Sequence, residues 1–226
     1  MPLQLRLDST VPQLVKPFLS SDIDLLVDTY KGYYEEEGER VGEVETQEEA
    51  YERIVFALIS VNSAFDATCK AWEKVREVRN GDKWSIYHGL RARGSDGSVV
   101  QYAATKASWI GRLWMDAFEN GVSLLPVGMD DNEYRLYLQH NIKGLALAKG
   151  SFAAMLCKGK ANICCIDTHM HRLFTGNVAK KGIGKRVYLA MEEGVREIAG
   201  RHGIATSVAQ HCIWDGMRGE RSRLLP

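Results

Sequence analysis

Two residues in this chain have the types and spacing for chemistry on a sugar. Lys149 opens an apolar helical stretch, and an Asp-Thr-His turn follows at Asp167, Thr168 and His169. One helix of about ten residues and a short loop fill the interval. An amine at one helix start and a carboxylate at the mouth of the next suit reaction at C1′. The amine can attack, and the carboxylate can steady the positive charge that develops there. Plainer roles stand beside these. Lys149 can face solvent or touch a phosphate, and Asp167 can cap a helix over 168–174, a position where aspartate is favoured. His169 and His171 have no cysteine or carboxylate partner at metal-site spacing, so no metal site is expected.

The stretch Asn141 to Gly176 reads NIKGLALAKGSFAAMLCKGKANICCIDTHMHRLFTG. It resembles the helix-hairpin-helix DNA glycosylases, the superfamily of endonuclease III and the adenine-mismatch and 8-oxoguanine glycosylases. Their signature is a hairpin of the type L-P-G-V-G-x-K, an apolar helix, then V-D-T-H. The apolar helix at Ser151 to Leu156 and the Cys-Ile-Asp-Thr-His turn match. In the hairpin only Gly144 stands where the family has two glycines. No proline precedes it, and it falls one position off the usual spacing from Lys149. A second matching segment is Ala57-Leu58-Ile59-Ser60-Val61-Asn62-Ser63-Ala64-Phe65-Asp66, similar to L-L-S-A-Q-T-T-D. The matching segments span roughly residues 53–176, about half the chain.

The resemblance implies an all-α, two-lobed fold with a DNA-binding cleft between the lobes. One lobe would hold approximately residues 1–50 and 177–226, the other 51–176 with the hairpin at 134–157. It implies catalysis by Lys149 and Asp167 and DNA contacts from Asn62, Lys143, Gly144, Leu145, Ala146, His169 and Arg172. Asn62 would wedge into the duplex beside an extruded nucleotide, and the hairpin N–H groups would meet a phosphate. Phe65 and Phe152 are the candidates for stacking on the flipped base. With Lys149 as nucleophile the enzyme would also nick the strand. Without it, Asp167 would guide water.

Two other readings stay open. The shortened G-L-x-L-x-K-x-x-F plus C-I-D-T-H pattern also looks like phage glycosylase-like proteins associated with hypermodified thymine. Such an enzyme would join a free amino acid to an activated 5-substituted pyrimidine in DNA. A non-catalytic DNA-binding protein on the same fold is the third reading.

The 226 residues suffice for one large domain or two packed lobes, with 45% hydrophobic and 26% charged residues. No apolar run is long enough to span a membrane. No secretory pattern is evident over residues 1–8. The five cysteines, Cys69, Cys157, Cys164, Cys165 and Cys212, fit no disulfide framework, which points to an intracellular setting. After Cys165 only Cys212 remains, so no iron-sulfur cluster or other cofactor is expected. The expected partner is double-stranded DNA, bound by a monomer.

Net charge is zero, but its distribution is uneven. Residues 1–52 hold 4 Lys and Arg against 13 Asp and Glu, a net of −9. Residues 134–226 hold 15 against 6, a net of +9. This fits either a basic DNA-binding face on the C-terminal part or pairing of the two ends with each other. Lys158, Lys160, Lys180, Lys181, Lys185 and Arg186 are further candidate phosphate contacts.

The elements that must position these residues are mostly helices. Ser20-Ser21-Asp22 predicts a cap for a helix running toward Tyr30, and the acidic stretch 33–49 predicts a loop or a polar helix start. Ile54, Ala57, Leu58, Val61 and Phe65 give a helical period within 48–72. Trp84 to Tyr87 and Ser98 to Tyr102 predict short extended pieces. Helices are expected over 106–120, 130–140, 184–202 and 207–217. Trp214 and Asp215 have no assignment from the sequence.

Overall fold

The computed structural model describes residues 21–78, 81–175, 182–216, 219 and 221–226. The expected cap residue Ser20, the lysines at 180 and 181, and residues 217 and 218 lie outside them. Ten α-helices run through the described residues without a strand. They are α1 (Ser21–Val41), α2 (Gln47–Ile59), α3 (Phe65–Val75), α4 (Lys83–Leu90) and α5 (Ala103–Trp114). There follow α6 (Asp131–Asn141), α7 (Leu147–Lys158), α8 (Thr168–Thr175), α9 (Lys185–His202) and α10 (Thr206–Gly216). The all-α expectation holds.

Several boundaries differ from the sequence reading. Helix α1 does not stop near Tyr30 but runs through the acidic stretch to Val41, because Tyr34 and Glu37 turn inward and are buried. The single period read over 48–72 is two helices, broken at 60–64. Trp84 to Tyr87 is helical, not extended. The Asp82 carboxylate caps α4 by accepting the Ser85 N–H at 2.7 Å, and Ile86 and Leu90 are buried. The piece at 98–102 makes only an isolated antiparallel bridge between Arg93 and Val99. Helix α5 ends at Trp114 and passes into a π-helical turn, Met115–Glu119.

The chain divides into two compact units. One comprises residues up to Glu39 and Lys160–Arg223, the other Arg40–Gly159 and Leu224–Pro226. The breaks thus fall at 39/40, 159/160 and 223/224, whereas the sequence reading set them near 50 and 176.

In the first unit α1, α9 and α10 surround an apolar interior of Val27, Met170, Phe174, Met191, Val195, Ile198, Val208 and Ile213. Several of its buried polar groups are paired. Asp215 accepts bonds from the Tyr34 hydroxyl and from the Ser222 N–H at 2.6 Å. The Arg221 guanidinium lies over the rings of Tyr30 and Tyr33. Asp215 therefore fastens the segment after α10 onto α1.

In the second unit α2 packs along α7, and α7 against α6. Ala50, Ile54, Val55, Phe56, Ala57 and Leu58 of α2 are buried. Arg53 on the same helix donates to the carbonyls of Val41, Gly42 and Leu156 at 2.7–2.8 Å. One guanidinium thereby satisfies the carbonyl ends of two helices. Tyr51 meets the rings of Trp114 and Phe118 edge-on.

Candidate active site

Helices α6 and α7 form the hairpin. A full capping box starts α6: the Asp130 carboxylate accepts the Glu133 N–H, and Glu133 accepts the Asp130 N–H. Residues 142–146 connect the helices. Gly144 takes φ +100, and a Cβ there would run into the Trp109 indole. Glycine is required both by conformation and by space. Leu145 is buried and anchors the turn, while Lys143 and Ala146 are exposed. Ala146 is the N-cap of α7 and offers no side-chain acceptor. The first N–H groups of α7 therefore have no side chain of the cap residue to accept them, at the positive end of a helix dipole.

Lys149 lies on this first turn, half-buried. Its Nζ donates to the Ser60 hydroxyl at 2.9 Å and lies 5.0 Å from the centre of the Phe152 ring. Phe152 is half-buried and tilted against Phe56, and Phe65 meets Phe56 edge-on while 45% exposed. Asn62, two residues after Ser60, is exposed in the left-handed region at φ +50. Tyr102, at the N-cap of α5, is left-handed too and 65% exposed. Lys149, Ser60, Asn62, Phe65 and Phe152 thus belong to one unit with the hairpin.

A residue that sequence reasoning missed underlies this cluster. Lys106 on α5 is fully buried (0% exposed). Its Nζ donates to the carbonyl oxygens of Ile59 at 2.7 Å and Val61 at 2.5 Å, and to the Ser63 hydroxyl at 3.0 Å. Burial pushes its ammonium down to about 8, and the charge of Lys149 adds to the effect. The signal was present in the sequence. Lys106, Ile110 and Leu113 share one helical face, and a lysine on an apolar stripe is rarely there by accident.

Asp167 belongs to the first unit and is built differently. Its carboxylate accepts the Met170 N–H at 2.8 Å, capping α8 as the turn chemistry predicts. The segment before it is neither helix nor strand, and side chains from α9 and α10 take up its backbone groups. Glu192 accepts the Cys164 N–H, Gln210 the Cys165 N–H, and the Tyr188 hydroxyl the Ile166 N–H while donating to the Cys164 carbonyl at 2.7 Å. His169 and Arg172 are exposed on α8, and the His169 ring stands edge-on to Trp214. Asp167 is half-exposed, so the cap leaves part of its carboxylate accessible.

Part of the charge asymmetry resolves as pairing within each unit. Asp24 pairs with Arg201 and His202, and Glu39 with Lys160, in the first unit. Glu43 pairs with Lys158 in the second, where Lys158 also donates to the Met129 carbonyl. Lys158 and Lys160 are therefore engaged with the chain's own acidic segment. Among the described residues no group of three or more His, Cys, Asp or Glu side chains is arranged to hold a metal ion. None of their helices is long and apolar enough to cross a membrane.

The family model for 8-oxoguanine DNA glycosylase (Ogg-HhH) matches residues 34–204. The chain belongs to this family. It is a helix-hairpin-helix DNA glycosylase, an enzyme of base excision repair. Solved structures agree on the fold. The 8-oxoguanine DNA glycosylase of Thermotoga maritima matches with a TM-score of 0.66 and 19% identity, over 93% of this chain and 98% of that one. The 8-oxoguanine glycosylase/lyase of Methanocaldococcus jannaschii, in complex with a 15mer DNA containing 8-oxoguanine, matches at 0.63 and 16% over the same shares. A further structure of the Methanocaldococcus jannaschii 8-oxoguanine DNA glycosylase matches at 0.59 and 15%, over 93% and 94%. No curated protein matches this glycosylase in sequence.

Proposed function

We propose that this glycosylase removes 8-oxoguanine from duplex DNA and then nicks the strand through Lys149. The observation that carries the reading is the placement of the Lys149 amine. It sits on the first turn of α7, directly after an exposed hairpin with an uncapped helix start, and a hydroxyl holds it at 2.9 Å. The family match includes Lys149 and Asp167. The Methanocaldococcus jannaschii relative is named both glycosylase and lyase, with 8-oxoguanine DNA bound.

The steps follow from the side chains. The α7 N–H groups and Lys143 receive a backbone phosphate of the duplex, with His169 and Arg172 making further phosphate contacts. Asn62 enters the duplex beside the extruded nucleotide. Lys149, as the free amine, attacks C1′. The bond from C1′ to the base breaks, and the base leaves with the electron pair and takes up a proton. Asp167 steadies the positive charge on the sugar. The secondary amine formed at C1′ opens the sugar ring to an iminium. Loss of a C2′ proton then expels the 3′ phosphate by β-elimination. Phe65 and Phe152 offer aromatic faces for the extruded base.

The comparisons favour neither amino-acid transfer nor a non-catalytic role. The test is incubation with duplexes carrying 8-oxoguanine opposite cytosine, followed by mass spectrometry of the released base and borohydride trapping. Free 8-oxoguanine and a trapped adduct, the adduct absent in Lys149→Gln, are expected. An intact glycosidic bond on this substrate would overturn the reading. Base release without an adduct would leave a glycosylase and remove the lyase step.

A further inference from the structure

The mechanism leaves one buried charge unused. A lysine with no exposed surface carries a large desolvation cost unless its donors are all occupied. Lys106 meets that condition with three acceptors, one on the last residue of α2 and two in the turn that follows it. That turn is where α2 stops. A glycine would usually end such a helix in the left-handed region. Here the left-handed residue is Asn62, and the carbonyls of Ile59 and Val61 go to Lys106 instead.

The bonds continue outward from this point. Ser63 accepts from Lys106 and from the Gln101 N–H, and its N–H donates to the Ser60 carbonyl. Ser60 donates its hydroxyl proton to the Ala57 carbonyl at 2.8 Å. Its oxygen is thereby turned to accept from Lys149 at 2.9 Å. A continuous path of hydrogen bonds and two peptide units thus links Lys106 to the reactive amine.

We propose that Lys106 is a positioning residue for Lys149: its buried ammonium bonds the carbonyls at the end of α2, fixes the 60–63 turn, and so aims the Ser60 hydroxyl at the Lys149 amine. The inference rests on the assignment of Lys149 as the nucleophile. The groups facing the Lys106 ammonium are the Ile59 and Val61 carbonyls and the Ser63 hydroxyl, from α2 and the turn after it. From α7 the Lys149 charge acts on it. Lys106 itself comes from α5. Its depressed ionisation places a change of charge, and with it a weakening of these three bonds, near pH 8.

The experiment is single-turnover borohydride trapping on an 8-oxoguanine duplex at saturating enzyme, from pH 6 to pH 10. It compares wild type, Lys106→Met, Ser60→Ala, the double variant and Lys149→Gln. Methionine fills a similar volume without a donor, and circular dichroism checks that each variant is folded. Lys106→Met and Ser60→Ala are each expected to slow trapping about tenfold, the scale of one lost hydrogen bond. The double variant is expected to be no slower than either, because both act on one path. The wild-type profile should show an inflection near pH 8 that Lys106→Met lacks. Should Lys106→Met fail to fold, Ser63→Ala takes its place and should slow trapping in the same direction. Multiplying effects in the double variant, or a Lys106→Met profile that superposes on wild type, would overturn the inference alone. Absence of any adduct from wild type would overturn the lyase assignment and this inference with it.

Discussion

Lys149 and Asp167 are held in opposite ways. Lys149 depends on other side chains: a serine hydroxyl, a phenylalanine face and, behind them, a buried lysine on a different helix. Asp167 caps the helix it starts, and its approach is fixed by side chains bonding to backbone. A flexible four-carbon amine has many rotamers and needs outside anchors to choose one. A short carboxylate at an N-cap is oriented by its own backbone and needs only the chain before it to be held.

The strongest way to break this comparison is to remove each proposed reactive group while keeping its structural role. Lys149→Gln is expected to abolish the borohydride adduct, at least a thousandfold by gel trapping. Asp167→Asn keeps an equally good cap, so its melting temperature should stay near wild type. Base release should nevertheless fall about 100-fold or more. A melting loss in step with the activity loss would make Asp167 a cap and nothing else.

The next effect tests the surroundings of Lys149. Lys106 has a folded value near 8 against 10.5 for the ordinary side chain. Between those values the unfolded chain binds more protons than the folded one, so stability rises with pH across that window. Lys106→Met removes this dependence. The stability of wild type relative to Lys106→Met, from urea unfolding at pH 7.5 and 10.5, should rise by about 2–3 kcal/mol. A flat difference would show that Lys106 is not perturbed. Gly144→Ala should destabilise by about 2–3 kcal/mol, because alanine resists the positive φ and meets Trp109.

Smaller effects sharpen the other side of the comparison. Tyr188→Phe removes the hydroxyl between the Ile166 N–H and the Cys164 carbonyl, at a cost of about 1–3 kcal/mol in urea unfolding. Base release should slow as well, since the approach to Asp167 loosens. Lys160→Ala breaks an exposed pair with Glu39 and should cost under about 1 kcal/mol. A larger loss would mean that the acidic segment matters more than surface pairing allows.

Much of the fold could be read from local signals. The helix over 130–140, the apolar helix over 151–156 and the Asp-Thr-His turn are short-range patterns with short-range causes. The sequence was less legible where packing overrode composition. Helix α1 crosses an acidic stretch because Tyr34 and Glu37 find buried places. The turn at 60–64 interrupts a helical period because a lysine more than 40 residues away takes the carbonyls that would have continued it.

The sequence by itself determined the helical class and the cap that Asp167 provides. Each depends on residues close in the chain, where periodicity and side-chain-to-backbone bonds act. Only the tertiary structure decided which neighbours hold the Lys149 amine, that Lys106 is buried beneath them, and that Trp109 leaves room only for glycine at 144. Those facts depend on segments brought together by burial of apolar surface, a force without direction or sequence spacing.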